Sequence, residues 1–249
     1  MRENLTDKAE KKEGLCTSAR TLARCRNCQI REDTVAGVLT LDELDKLDAI
    51  MISRNFGAGS TIFVEGDTSK SYYNIYDGVV RLIKLLPDGR RAVLGFLFKG
   101  DFFGLPDDGV YAYSAEAVSP VKMCCFPIEK MERLFEEMPK LEHSLLGKMM
   151  GMLSRSQNRM AELARKSPRE RLAAFIINLS AVSGIDPDTG VFPVPMSRED
   201  ISDYLGLTIE TVSRTFSAFA REGLIAIEGR RHLKIRDKNA LIKISEGIE

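Results

Sequence analysis

Glu210, Ser213 and Arg214 stand at i, i+3 and i+4, so on a helix their side chains project together. A carboxylate accepts a hydrogen bond from cytosine N4, a guanidinium forks onto guanine O6 and N7, and a hydroxyl suits several base edges. The same trio also fits a solvated helix face with an ordinary Glu–Arg pair, so the surroundings decide. A second set of reactive groups is sulfur. Cys25-Arg26-Asn27-Cys28 is a C-x-x-C pair among Arg24, Arg26 and Arg31, with Cys16 upstream and Cys124-Cys125 far downstream. Two thiolates at this spacing grip one metal ion or cluster, and nearby cations lower a thiol pKa. A redox dithiol needs a strand–helix context that is not visible here. No second C-x-x-C completes a zinc site, and His143 and His232 are distant in sequence. Unliganded thiols in a flexible arm are the plain alternative. The odd count of five cysteines fits reduced thiols or metal ligands better than a disulfide framework.

The elements that must position the first set can be read locally. Ser197 is a good N-cap, and Asp200 three residues on completes a capping-box pattern. Ile201, Tyr204 and Leu205 follow at helical spacing. Gly206 stops this helix where a left-handed backbone costs glycine least. Leu207 packs the corner, and Thr208 caps a second helix with Val212, Phe216 and Phe219 on its inner face. A short helix, a Gly turn and a second helix make a helix-turn-helix, which puts Thr208, Glu210, Ser213 and Arg214 where they can read double-stranded DNA. Beyond Gly223, IAIEGRRHLKIRD predicts a hairpin turning at Glu228-Gly229-Arg230. This wing carries Arg230, Arg231, Lys234 and Arg236, a basic patch suited to phosphates.

Composition bounds the rest. The 249 residues are 44% hydrophobic and 29% charged, with 36 basic and 36 acidic side chains. The balance conceals the basic wing, and no apolar run approaches the length of a membrane span. The polar start, MRENLTDKAEKKEG, has no apolar signal core and reads as disordered, so a cytoplasmic location with no membrane partner is expected. A Cys-containing arm over 1–37 precedes an amphipathic helix at Leu39–Ile52, capped by Thr40 and Glu43. Short β-prone runs separated by Gly turns then suggest a jelly-roll sensor domain over 38–133, making the fold α+β. A long helix over 134–166 carries a stripe through Leu145, Met149, Met152, Leu153, Ser156 and Met160, suited to pairing across a two-fold axis in a homodimer. Burial of the stripe within its own domain is the alternative. Ser167, Pro168 and Glu170 restart a helix, opening a DNA-binding region over 167–249.

Strand roll, long helix and winged helix-turn-helix in this order resemble the CRP/FNR family of bacterial transcription regulators, from about Leu39 to Leu241. ERLAAFIINLS (170–180) and DISDYLGLTIETVSRTFSAFAREGLI (200–225) carry the resemblance most specifically. The E-x-x-S-R of Glu210, Ser213 and Arg214 is similar to that of the FNR branch, which implies TTGAT-type half-sites and RNA polymerase as a partner. Members that bind cAMP place Gly-Glu and then Arg-Ser/Thr around the phosphate. The matching places read Gly104-Leu105 and Tyr113-Ser114, so the resemblance does not imply a cyclic nucleotide. The FNR branch instead implies a [4Fe–4S] cluster, an oxygen or redox response and no enzymatic activity. Its roll cysteine matches Cys124, while strand alternation turns Cys125 inward with Val121 and Met123. The family's third N-terminal cysteine follows the C-x-x-C pair, whereas here only Cys16 precedes it. Cys16 completing the set, an incomplete set and no cluster all remain open, with Cys16, Cys25, Cys28 and Cys124 the favoured ligands.

Overall fold

A computed structural model describes residues 25–248, so the polar start expected to be disordered and Cys16 both lie outside the described residues. Three short 3-10 turns, Cys25–Asn27, Arg31–Asp33 and Val35–Val38, lead into α1 (Leu41–Ile50). Glu43 accepts from both the backbone N–H and the hydroxyl of Thr40, each at 2.7 Å, so the expected cap is formed. The roll follows as β1 (Ile52–Phe56), β2 (Thr61–Phe63), β3 (Ser71–Asp77), β4 (Val80–Leu85), β5 (Arg91–Leu97), β6 (Phe102–Phe103), β7 (Pro106–Asp107), β8 (Val110–Tyr111), β9 (Ser114–Ala117) and β10 (Val121–Pro127). Two four-stranded sheets, in the orders β1-β10-β3-β6 and β2-β9-β4-β5, enclose a core that includes Ile75, Phe103, Met123 and Cys125.

The sequence reads one helix from Leu134 to Arg165, but there are two. α2 (Ile128–Glu137) ends at Met138, and α3 (Pro139–Arg165) starts with proline in its first turn. Proline cannot donate to the preceding turn and pushes the residue before it out of helical geometry. Met138 accordingly sits at φ −134°, ψ 74°.

Residues 25–38 are not a loose arm. Cys25, Val35, Ala36 and Leu39 are buried with Leu44 and Leu47 of α1 and with Leu141 and Leu145 of α3. The Cys25 N–H donates to Asp48 at 3.0 Å, Arg26 pairs with Asp45, and Lys148 of α3 donates to the Asp33 carbonyl at 2.5 Å. Leu145 is therefore removed from the expected dimer seam, because its own N-terminal segment already covers it. The most exposed apolar side chains on α3 are Leu146 (52% exposed), Met150 (58%), Leu153 (51%) and Met160 (59%), of which Leu153 and Met160 belong to the expected stripe. With Gln157 they follow the 4-3-4-3 spacing of a coiled-coil seam. Gln157 is the polar position on this line, and Met149, Met152 and Ser156 lie to one side of it.

The C-terminal region comprises α4 (Pro168–Val182), β11 (Val191–Pro193), α5 (Arg198–Leu205), α6 (Ile209–Arg221), β12 (Ile225–Glu228), β13 (His232–Ile235) and α7 (Lys238–Ser245). The wing is three-stranded, in the order β11-β13-β12, so the segment before the helix-turn-helix supplies a strand that a hairpin reading misses. No helix among the described residues is long and apolar enough to cross a membrane.

Candidate nucleic-acid interface and thiol site

Local chemistry sets the α5–α6 angle. Ser197 accepts from Asp200 N at 3.0 Å while Asp200 accepts from Ser197 N at 3.1 Å. Gly206 takes φ 61°, ψ 42°, the left-handed conformation that ends a helix cheaply in glycine. Thr208 then accepts from Thr211 N at 3.2 Å, so this expected contact residue is also the N-cap of α6. Val212, Phe216 and Phe219 are buried beneath α6. Glu210 and Arg214 are exposed, Ser213 is half-buried, and exposed Ser217 extends the same face by one turn. Ser217 stands at i+7 from Glu210, a spacing readable in the sequence. Its hydroxyl is engaged by the Ser213 carbonyl at 3.0 Å.

The Glu210 carboxyl is held below the usual carboxylate range by its own backbone N–H first, then by the Thr208 hydroxyl, with Arg214 adding attraction. Arg214 Nη2 reaches Thr211 Oγ1 at 3.4 Å. Acceptor and cation are therefore presented side by side at the N-terminal end of an exposed helix, the part that enters a major groove in helix-turn-helix docking. Arg230 and Arg231 are both exposed at the wing tip, where Gly229 turns the hairpin with φ 65°.

The comparisons bear this geometry out at the level of family. Residues 170–244 match the Crp-like helix-turn-helix domain, and residues 53–138 match the cyclic nucleotide-binding domain. The chain is 42% identical to the nitrogen fixation regulation protein FixK of Bradyrhizobium diazoefficiens, over 82% of this chain and 86% of that protein. It is 35% identical to the transcriptional activator protein FnrL of Cereibacter sphaeroides, over 89% of this chain and 92% of that one. The solved structure of FixK2 from Bradyrhizobium japonicum superposes with a TM-score of 0.74 at 30% identity, over 78% of this chain and 97% of that one. The chain belongs to the CRP/FNR family of transcription regulators. It is a DNA-binding regulator and not an enzyme.

As a CRP/FNR regulator it keeps the roll but fills it differently from a cyclic-nucleotide site. Phe63 stacks on Tyr111 with centroids 3.8 Å apart, and Tyr73, Phe103 and Tyr113 close around them at 5.6, 6.0 and 5.9 Å from Phe63. Gly104 N donates to the Tyr113 hydroxyl at 3.3 Å. The two places where a phosphate would find its partners are thus bonded to each other. Gly104 has φ +84°, and a Cβ there would meet the Tyr73 ring at 2.7 Å. Phe103→Ala is expected to destabilise the regulator by about 3–5 kcal/mol, the usual cost of emptying a buried aromatic site, measurable by urea unfolding.

On the opposite face of β10 lies the sulfur. Cys124 is half-buried and packs toward the cluster that contains Cys25, whereas Cys125 is buried in the roll core, as alternation predicts. Burial first, and then the Asp48 carboxylate and Cys124, push the Cys25 thiol up to about 12. Burial first, then Cys28 and Asp48, push Cys124 up to about 12. Cys28 and Asp48 act on both Cys25 and Cys124, so these thiols share one neighbourhood although about 100 residues of chain separate Cys25 from Cys124. Among the described residues, no three His, Cys, Asp or Glu side chains are spaced to hold a single metal ion. An iron–sulfur cluster is wider than one ion and its thiolates stand further apart, and its usual donors are the soft thiolates gathered here. By donor chemistry these residues fit a cluster. The fourth expected donor, Cys16, lies outside the described residues.

Proposed function

We propose that this regulator binds TTGAT-type inverted repeats as a homodimer, activates transcription with RNA polymerase in the cytoplasm, and follows oxygen or redox state through a [4Fe–4S] cluster on Cys16, Cys25, Cys28 and Cys124. The observation that carries the reading is the packing of Cys25 and Cys124 into one apolar cluster with α1 and the first turns of α3, with Cys28 near enough to act on both thiols. The similarity to FnrL, a transcriptional activator protein, supports the sign of regulation. Bound there, a cluster supplies an oxidisable centre held by thiolates. The residues do the coupling. Ligation fixes Cys25 and Cys28, and the 3-10 turns that follow press Val35 and Ala36 onto Leu141 and Leu145. Leu146 and Met150, the first bare residues of the seam, stand beside that contact on α3. Holding the segment therefore holds the register in which two α3 helices meet, and releasing it loosens both together.

Iron and sulfide analysis of anaerobically purified protein tests the cluster. Cys28→Ser and Cys124→Ser should lose iron, sulfide and the oxygen response, while Cys125→Ser should keep all three. Cys16→Ser decides the remaining donor: full iron retention there would require another ligand. A brown colour absent from anaerobic wild-type protein would sink the cluster while leaving the DNA reading intact.

The reading face has its own test. Arg214→Ala should cost about 1–3 kcal/mol, concentrated at one G·C pair of each half-site. Arg231→Ala should weaken binding to all sequences alike, because a phosphate contact carries no base information. Titrations over a panel of half-site variants distinguish them, and a uniform loss for Arg214→Ala contradicts base reading.

A further inference from the structure

Where β5, α3, α4 and α5 meet, the chain leaves a cleft of about 730 Å³, within the range that small-molecule sites occupy. One side is aromatic: Phe96 and Tyr204 lie 5.2 Å apart between centroids, and Phe175 lies 5.8 Å from Tyr204. The other side is charged, and the charges do not balance. Arg155, Arg159 and Lys166 line the cleft against only Asp101 and Glu162. Glu162 is shared, 3.0 Å from Lys166 and 3.7 Å from Arg159, and Asp101 is 3.6 Å from Arg155.

Arg159 is the residue that needs explaining. Its guanidinium lies 3.9 Å over the Tyr204 ring, and its side chain is only 12% exposed. Its Nη2 is buried and has no hydrogen-bond partner. Buried polar groups are nearly always paired, and Glu162 reaches this guanidinium only through Nη1. Burial pulls the Arg159 pKa down, against the opposing influence of Tyr204 and Glu162. At 100° per residue, Arg155, Arg159 and Glu162 face the opposite side of α3 from Leu153, Gln157 and Met160. Pairing of two chains along that seam would leave the cleft open.

We propose that this cleft is a binding site for a small aromatic oxyanion, a flat ring bearing a carboxylate or a phosphate. The ring packs against Phe96, Phe175 and Tyr204. The anionic group supplies the acceptor that Arg159 Nη2 lacks once the fork turns toward the cleft, and Lys166 lies within the same lining. An occupant touches the roll, the long helix and the DNA-reading region at once. The inference needs neither the iron–sulfur cluster nor a particular DNA sequence.

Equilibrium dialysis of the full-length protein with 1-naphthoate and with phenyl phosphate tests it, using 1-naphthylmethanol and inorganic phosphate as controls. At least one aromatic anion should bind about tenfold or more tightly than its control, and the tighter of the two identifies the anionic group. Arg159→Gln should remove that preference. Val182→Trp, which fills the rim from a residue 51% exposed and leaves Arg159 in place, should weaken binding about tenfold without unfolding the chain. Aromatic anions that bind no better than their controls, or binding unchanged in both variants, would overturn the proposal.

Discussion

Asp200→Ala is expected to destabilise the chain by about 3 kcal/mol, a large effect for one short side chain. The carboxylate is only 4% exposed and does two things at once. One oxygen closes the capping box of α5 by accepting from Ser197 N. The other accepts from Arg81 of β4 at 2.5 Å and from Arg91 of β5 at 3.1 Å. Losing a cap contact costs about 1 kcal/mol, and leaving a buried cation without its partner costs more. Glu116 still accepts from Arg81, and Asp203 from Arg91 at 2.8 Å, which keeps the loss below the upper end for buried pairs. Asp200→Asn keeps a capping oxygen but removes the charge, so it should fall between wild type and Asp200→Ala. Urea unfolding gives the order directly, and three coincident midpoints would show that this contact carries no energy.

The second large effect is on assembly. Leu153→Glu is expected to give monomers and to weaken binding to an inverted repeat about a hundredfold or more. Two half-sites one helical turn apart reward a preassembled pair, and that gain disappears when each domain binds alone. In a two-fold seam the substituted carboxylate would face its own copy. Leu145→Glu, eight residues earlier on the same helix, should behave differently: it buries a charge under residues 25–38 and destabilises the fold itself. Sedimentation and unfolding together separate the two outcomes. An unchanged dimer in Leu153→Glu would move the interface off α3.

What was legible in the sequence was local. The boxes at Thr40/Glu43, Ser167/Glu170 and Ser197/Asp200 each need only four consecutive residues, and all three form. Strand alternation sorted Cys124 from Cys125, because neighbouring side chains on a strand must point to opposite faces. Pro139 also marks the break between α2 and α3, which a single helix from Leu134 to Arg165 overlooks. The seam was harder. α3 is apolar on two adjacent lines, and choosing between Leu145 and Leu146 depends on a segment more than 100 residues away in the chain. The contact between Arg81 and Asp200 spans 119 residues, and no periodicity in either segment announces it.

The stacked rings inside the roll have a mechanical consequence. An empty chamber can absorb a shift of its wall by partial collapse, whereas close-packed interiors are stiff and pass strain on. Cys124 sits on β10, whose other face, at Met123 and Cys125, presses on the same core as Phe63, Phe103 and Tyr111. A displacement imposed at the thiols would therefore be poorly absorbed inside the roll. The rigid route onward from β4 and β5 is the pair Arg81 and Arg91, which bind Asp200 of α5.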